Sequence, residues 1–276
     1  MMISQRISPS LRLTEVSVLA VALLLLPRPA CAAERHFGFS NESSVQSPGT
    51  AELQPWTTVR AGRADYYSNL AARFGFDFGI AKHLEGAVFW NLSATTEDVQ
   101  APGAAAPARL STTDFQALSA QIKYKLSDPV ADALGCALLV EGTYGPFVTG
   151  FEGRLILDEQ LGSLLLVANL VGGDFGQLDR RSTFEGSLGA TVGAGYFVTP
   201  SFMPGLELRS ETAFDSNIDR SVLYLGPSLS LLSGRYWTTL AVLPQLAALK
   251  GASPSRNLDL SQNERLQARV LFGFEL

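Results

Sequence analysis

Residues 69–80, NLAARFGFDFGI, divide by parity. Leu70, Ala72, Phe74, Phe76, Phe78 and Ile80 fall on one side of an extended chain, and Ala71, Arg73, Gly75, Asp77 and Gly79 on the other. Side chains alternate across a strand, so this pattern predicts one apolar and one polar face. Related segments recur near 54–62, 84–94, 114–126, 136–145, 149–158, 163–172, 183–197, 203–212, 221–232, 236–245 and 264–276. The stretch SLLLVANLV is the exception, being apolar on both faces. Together these give about twelve strands, an even number of the kind found in single-chain bacterial outer-membrane barrels. Pro204, Pro227 and Pro244 are the doubtful positions, because proline cannot donate to a sheet ladder.

The connections sort by length. Starting inside, alternate connections are short: 81–83, 127–135, 159–162, 199–202 and 233–235 form the expected periplasmic set. The expected outer set includes 95–113, 172–181 and 246–263, so the longest connections fall on one side. The predicted fold class is all-β, a single closed antiparallel transmembrane β-barrel of about twelve strands. A secreted soluble barrel or sandwich is the alternative, but it would need further layers to cover the outward apolar faces.

Charge follows the same parity. With the less polar face of each strand toward lipid, that face holds no Asp, Glu, Lys or Arg. The expected lumen side carries Arg60, Arg73, Asp77 and Glu85 on the first three strands. Lys123, Lys125, Glu141, Glu152, Arg154 and Asp158 follow on the next three. Glu185, Glu207, Arg209, Glu211, Arg269 and Glu275 complete the set. A one-residue slip would move these charges into lipid, at roughly 2–4 kcal/mol per Arg or Lys near the midplane. Trp56, Trp90, Tyr124, Tyr144, Tyr196, Tyr236 and Trp237 lie near strand ends and are expected in interfacial girdles.

The two ends of the chain agree with export. Arg6 and Arg12 precede an apolar run from Val16 to Leu26, and Ala30-Cys31-Ala32 fits a signal-peptidase site. The run is too short to span a bilayer as a helix. Acylation of Cys31 is disfavoured because Arg28 stands where lipoprotein signals carry an aliphatic residue. The expected division is a signal peptide over 1–32, an N-terminal lead over 33–51 and a barrel over 52–276. RLQARVLFGFEL alternates to Leu276, as a last strand must when it pairs with the first. It also resembles the C-terminal signal of outer-membrane barrels, with Leu276 in place of the usual Phe, which implies outer-membrane lipids and the barrel-assembly machinery as partners.

Composition narrows the chemistry. Without residues 1–32 the chain keeps one cysteine, Cys136, so no intramolecular disulfide can form. It then holds 18 basic and 25 acidic residues, leaving no basic footprint for nucleic acid. Of the two histidines, His36 lies in the lead and His83 in a periplasmic turn, where neither completes an outer-rim Ser–His triad. Neither a metal site nor a catalytic residue is expected. Glu207 and Glu211 flank Arg209 on one face, and an ion ladder is favoured over acid–base work. GSLGATVGAGYF (186–197) lacks G-x-G-x-x-G, so no cofactor is implied; Gly189, Gly193 and Gly195 share one face and relieve crowding or bend the strand. Leu139, Ile156, Leu165, Val167 and Val171 point inward, either as an apolar solute track or as packing for a plug formed by 34–50.

Three stretches, IKYKLSDPVADALGCALLVEGTYG, FEGRLILDEQLGSLLLVANLV and YLGPSLSLLSGRYWTTLAVLPQ, together with RVLFGFEL, resemble a family of bacterial outer-membrane β-barrels of uncharacterised function. The layout is more distantly similar to barrels assigned as transporters beside aromatic-degradation pathways. The resemblance implies fold and a Gram-negative outer-membrane location, and no catalytic motif. The expected function is a passive, porin-like channel for small solutes, apolar ones included. The competing expectation is a closed structural or binding barrel that uses loops 95–113 and 246–263 as contact surfaces.

Overall fold

The computed structural model describes residues 34–100, 106–178, 183–215, 217–252 and 257–276. The expected signal peptide lies outside the described residues. β1 (Ala51–Ala61), β2 (Tyr67–Ala81), β3 (Leu84–Val99) and β4 (Ala108–Ser127) form the first two hairpins. β5 (Gly135–Tyr144), β6 (Val148–Leu161), β7 (Leu164–Gln177) and β8 (Thr183–Tyr196) continue the meander. β9 (Phe202–Phe214), β10 (Ile218–Ser233), β11 (Tyr236–Lys250) and β12 (Leu266–Glu275) complete it. Each strand pairs antiparallel with its chain neighbours, and β12 closes on β1 through Thr57↔Val270 and Ala61↔Leu266. Closure leaves no sheet edge, which a bilayer requires because lipid offers no hydrogen-bond partner.

The parity of the opening strand sets its faces. Phe74 and Phe76 are exposed on the outside, whereas Asp77 is buried within. Trp90, Leu118, Tyr124, Val140, Tyr144 and Tyr196 are likewise exposed outward. Trp56 and Trp237 depart from the expected girdle and face inward. Trp237 is buried and donates its indole N–H to Glu52 at 2.9 Å. Trp56 shares its side of β1 with Thr58 and Arg60 and lines the lumen.

The prolines sit where the ladder is interrupted. Pro55 pairs with Phe74 of β2, while the β1–β12 register skips Gln54 and Pro55. Pro227 keeps its pairing with β9, and the β10–β11 register skips from Tyr224 to Ser228. Each proline therefore lacks a partner only where its missing N–H would have pointed.

The outer strands run further than expected. Residues 95–99 and 108–113, expected as loop, extend the β3–β4 hairpin through Glu97↔Leu110 and Asp98↔Arg109. β7 and β11 also continue into segments expected as loop, to Gln177 and Lys250. Between β11 and β12 the chain folds back over the outer mouth. Ala64 donates its N–H to the Leu260 carbonyl at 2.7 Å, and Arg63 pairs with Glu264 at 2.5 Å.

Candidate functional site: the lumen and the segment inside it

Residues 34–46 lie inside the barrel, on the side of the short turns, and 47–50 follow at its rim. The segment meets β2 at the rim, where Pro48 bridges Gly79 in parallel and Gly79 donates its N–H to the Thr50 carbonyl at 3.0 Å. A Cβ on Gly79 would lie 2.0 Å from the Ser47 carbonyl oxygen, so only glycine admits the segment here. From that rim the chain crosses the lumen, burying Val45, Ser43, Phe39 and Phe37.

This segment has no sheet partner for most of its backbone, and the barrel wall supplies acceptors. Glu207 of β9 accepts the N–H of Gly38 at 2.6 Å, of Phe39 at 2.8 Å and of Ser40 at 3.1 Å. Asp158 of β6 accepts Ser43 N–H at 2.9 Å, and Glu85 of β3 accepts Gln46 N–H at 2.7 Å. Asn169 of β7 bonds Asn41 twice, through the N–H at 2.7 Å and the carbonyl at 2.9 Å. Buried backbone groups must be paired, and charged acceptors give the stronger bonds. The wall carboxylates thus stand in for a sheet ladder.

Apolar contacts reinforce this seat. Phe37 packs with Leu165, Val167 and Met203, and Phe39 with Val222, Tyr224 and Leu243. A Cβ on Gly193 would meet the Phe37 ring at 2.8 Å, so the small residues of β8 make room for the segment. Burial of each phenylalanine contributes roughly 1.5–3 kcal/mol. Leu165 and Val167 therefore pack against the chain's own N-terminal segment and do not form a free apolar track. Ile156 is fully buried with Ala137 and Leu139, while Leu139 and Val171 also border the open lumen.

Beyond the segment, toward the outer side, lies a cavity of about 860 Å³. Its walls carry paired charges. Arg73 of β2 meets Glu141 of β5 at 2.9 Å, and Arg154 meets Glu152 on β6 at 2.9 Å. Arg209 pairs with Glu211, Arg220 with Glu185, and Lys123 with Glu85 at 3.4 Å. Asp77 borders the deep end of the same cavity. Arg60 reaches Asn69 at 3.4 Å, and Arg269 donates to Thr58 at 2.8 Å and to the Gly38 carbonyl at 3.1 Å.

Four residues expected to line the lumen have different settings, among them Glu275, which lies at the short-turn end of β12 opposite Glu52. Lys125 sits at the short-turn end, bonded to Asp128 at 2.8 Å, because the 127–135 connection curls back under β4. Asp158 and Glu207 face inward but lie against the N-terminal segment and are covered by it. Alternation assigned their side of the sheet but carried no information about what would cover them.

Other participants lacked a charge-parity signal. Arg35 and Phe39 reach the cavity from the segment, and Trp56 from β1. Parity with Arg60 was the signal available for Trp56. Arg63 and Glu264, joined across the outer side, also border the cavity; Arg63 falls outside any alternating run and Glu264 stands at the first position of the expected last strand.

A family model described as a family of unknown function, DUF6662, matches residues 29–156 and 172–276. The chain belongs to this family. As a DUF6662 member it shares its fold with solved outer-membrane barrels at very low identity. The NanC porin is 9% identical, with a TM-score of 0.52, over 81% of this chain and 100% of that one. The β domain of the Bordetella autotransporter BrkA is 9% identical, with a TM-score of 0.48, over 83% of this chain and 100% of that one. LpxR from Salmonella typhimurium is also 9% identical, with a TM-score of 0.46, over 81% of this chain and 99% of that one. None of the curated proteins compared with this DUF6662 chain matches it in sequence.

Proposed function

We propose that the protein is an outer-membrane solute channel of a Gram-negative bacterium, narrowed from the periplasmic side by its own N-terminal segment. The observation that carries this reading is the polar cavity of about 860 Å³ inside the barrel, with residues 34–46 across its inner end. A barrel that served only as a rigid anchor would gain more from an apolar core than from buried ion pairs, which do little for stability. The segment is held by hydrogen bonds and two phenylalanines, so it can leave without any covalent change. No catalytic residue is part of this proposal. Export by a signal peptide over 1–32, outer-membrane lipids around the exposed faces and delivery of β12 to the barrel-assembly machinery belong to the same reading.

The test is conductance in planar bilayers of the refolded mature chain beside a variant lacking residues 34–46. Rare or small openings of the full chain and steady steps of the deletion variant are expected. Silence from both, with each shown to be folded, would sink the channel.

A second reading, a closed barrel that binds a ligand or partner from outside, is favoured by one feature. Residues 257–265 pack over the mouth through Arg63–Glu264 and are tied to β11 by Gln245 and the Asp259 carbonyl at 3.0 Å. Silent bilayers with retained ligand binding would favour it.

A further inference from the structure

We infer that the floor of the cavity is a binding site for a small organic oxyanion, a solute bearing a carboxylate or phosphate. The inference names the solute class for the lumen proposed above as a channel and rests on that reading of the cavity. Eight arginines border the cavity, and five of them bear on the inference: Arg35 from the N-terminal segment, Arg60 of β1, Arg73 of β2, Arg209 of β9 and Arg269 of β12. The guanidinium groups of Arg35, Arg73, Arg209 and Arg269 gather around two rings, while Arg60 reaches Asn69 at 3.4 Å. Arg35, Arg73 and Arg269 lie 5.2, 4.6 and 5.4 Å from the centre of Trp56. Arg209 and Arg269 lie 4.8 and 4.2 Å from the centre of Phe39.

Most acids nearby are already engaged; Asp77, at the deep end, keeps one buried carboxylate oxygen without a hydrogen-bond partner. Glu141 binds Arg73 and Glu211 binds Arg209. Glu42 accepts the His36 N–H at 3.1 Å, and Glu207 holds three N–H groups of the segment. Among the described residues, Arg35, Arg60 and Arg269 form no ion pair with any carboxylate. The Nε atoms of Arg35 and Arg73 are buried and have no hydrogen-bond partner. Buried donors and like charges at close quarters are costly unless something accepts and neutralises them. Arg offers planar, forked donors that match carboxylate and phosphate geometry. A small oxyanion seated here would take the free donors of Arg35, Arg60 and Arg269 and offset their mutual repulsion.

The experiment is a titration of the folded, full mature chain in detergent, at constant ionic strength, followed by tryptophan fluorescence. Trp56 lies within the cluster, so a Trp56→Phe variant identifies its share of the signal. Glucuronate and inorganic phosphate are the probes, with glucose as the neutral control. Saturable quenching by at least one anion and none by glucose is expected, with binding weakened about tenfold or more in Arg60→Gln, the loss of one charge-assisted bond. Asp98→Asn, at the Arg109 pair of the outer hairpin and away from the cavity lining, should leave binding unchanged. A response to glucuronate alone assigns a carboxylate site, and one to phosphate alone a phosphate site. No saturable response, or equal affinities in wild type and Arg60→Gln, would overturn the inference. Because binding in detergent requires no conduction, a silent bilayer leaves this outcome readable, and a conducting barrel without anion binding leaves the channel standing.

Discussion

The Glu207 carboxylate accepts the backbone N–H of Phe39 at 2.8 Å, across 168 positions of the chain, and takes the flanking N–H groups of Gly38 and Ser40 as well. A charge that alternation places on a pore wall is thus the principal acceptor for a segment inside the pore. Asp158 and Glu85 repeat the relationship at Ser43 and Gln46. Barrel and segment are therefore one hydrogen-bonded unit, and the wall carboxylates connect the fold to control of the lumen.

Replacing Glu207 should loosen the segment while the barrel persists. Glu207→Ala would leave three N–H groups at a buried site without their acceptor, at roughly 1–3 kcal/mol each. The expected outcome is protease cleavage within 34–46 in a barrel that still resists denaturation, together with larger conductance. Wild-type protection of the segment in this variant would show that Phe37, Phe39 and the remaining acceptors Asp158, Glu85 and Asn169 hold it without Glu207.

Gly193 offers an independent handle on the same segment. Its added Cβ would stand 2.8 Å from the Phe37 ring, whereas at Gly142 nothing lies within 4 Å. Gly193→Ala should displace Phe37 and raise exchange of the segment's amides, and Gly142→Ala should be close to neutral. Phe37→Ala should act in the same direction, at about 3–5 kcal/mol for the lost ring. Equal protection in Gly193→Ala and Gly142→Ala would mean that the ring can shift without cost.

Alternation is a local property, and the features that depend on it were readable from the sequence. Phe74 and Asp77 fall on opposite faces because period two and lipid on one side leave a single register. Asp98 and Arg109 show where that signal ends. Their hairpin mixes Glu97 with Val99 and Leu110 on one face and sets Asp98, Arg109, Thr96 and Ser111 on the other, and it is held by the Arg109–Asp98 pair at 2.9 Å and by Thr96 with Ser111 at 3.0 Å. Such cross-strand pairs leave no hydrophobic period to read. The seat of Phe37 and Phe39 was legible only as one of two options, because a segment held by distant carboxylates has no periodicity of its own. The arginine cluster around Trp56 combines β1, β2, β12 and the segment, a juxtaposition that only closure creates.

The outward face gives a test of the membrane band. Val140 is exposed, midway along β5, and pairs with Ile122 and Gly153. Val140→Arg should destabilise the barrel folded in lipid vesicles by about 2–4 kcal/mol. Leu134→Arg, beside the short-turn end, should cost about 0–1 kcal/mol. Equal costs at the two depths, in urea titrations of vesicle-folded protein, would place the apolar band elsewhere on the strands.

Acid should open the outer loop late. Burial pushes the Asp259 carboxyl up, but hydrogen bonds from Ser261 Oγ at 2.6 Å and Asn263 Nδ2 at 2.6 Å outweigh it. With the N–H of Ser261 at 3.0 Å, they hold this carboxyl below its usual value. A group depressed in the folded state stabilises it above the unfolded value, about 3.9 for Asp, and that contribution fades as pH falls through the folded value. The loop should therefore keep its protection from protease at about pH 5 and lose it only below about pH 3.9, whereas Asp259→Ala should lose it at neutral pH. The same replacement should weaken the closure made by Arg63 and Glu264, because Glu264 follows directly on Asn263 in the chain. Loss of protection already at about pH 5 in the wild type would instead assign control of the loop to a carboxylate with a raised titration.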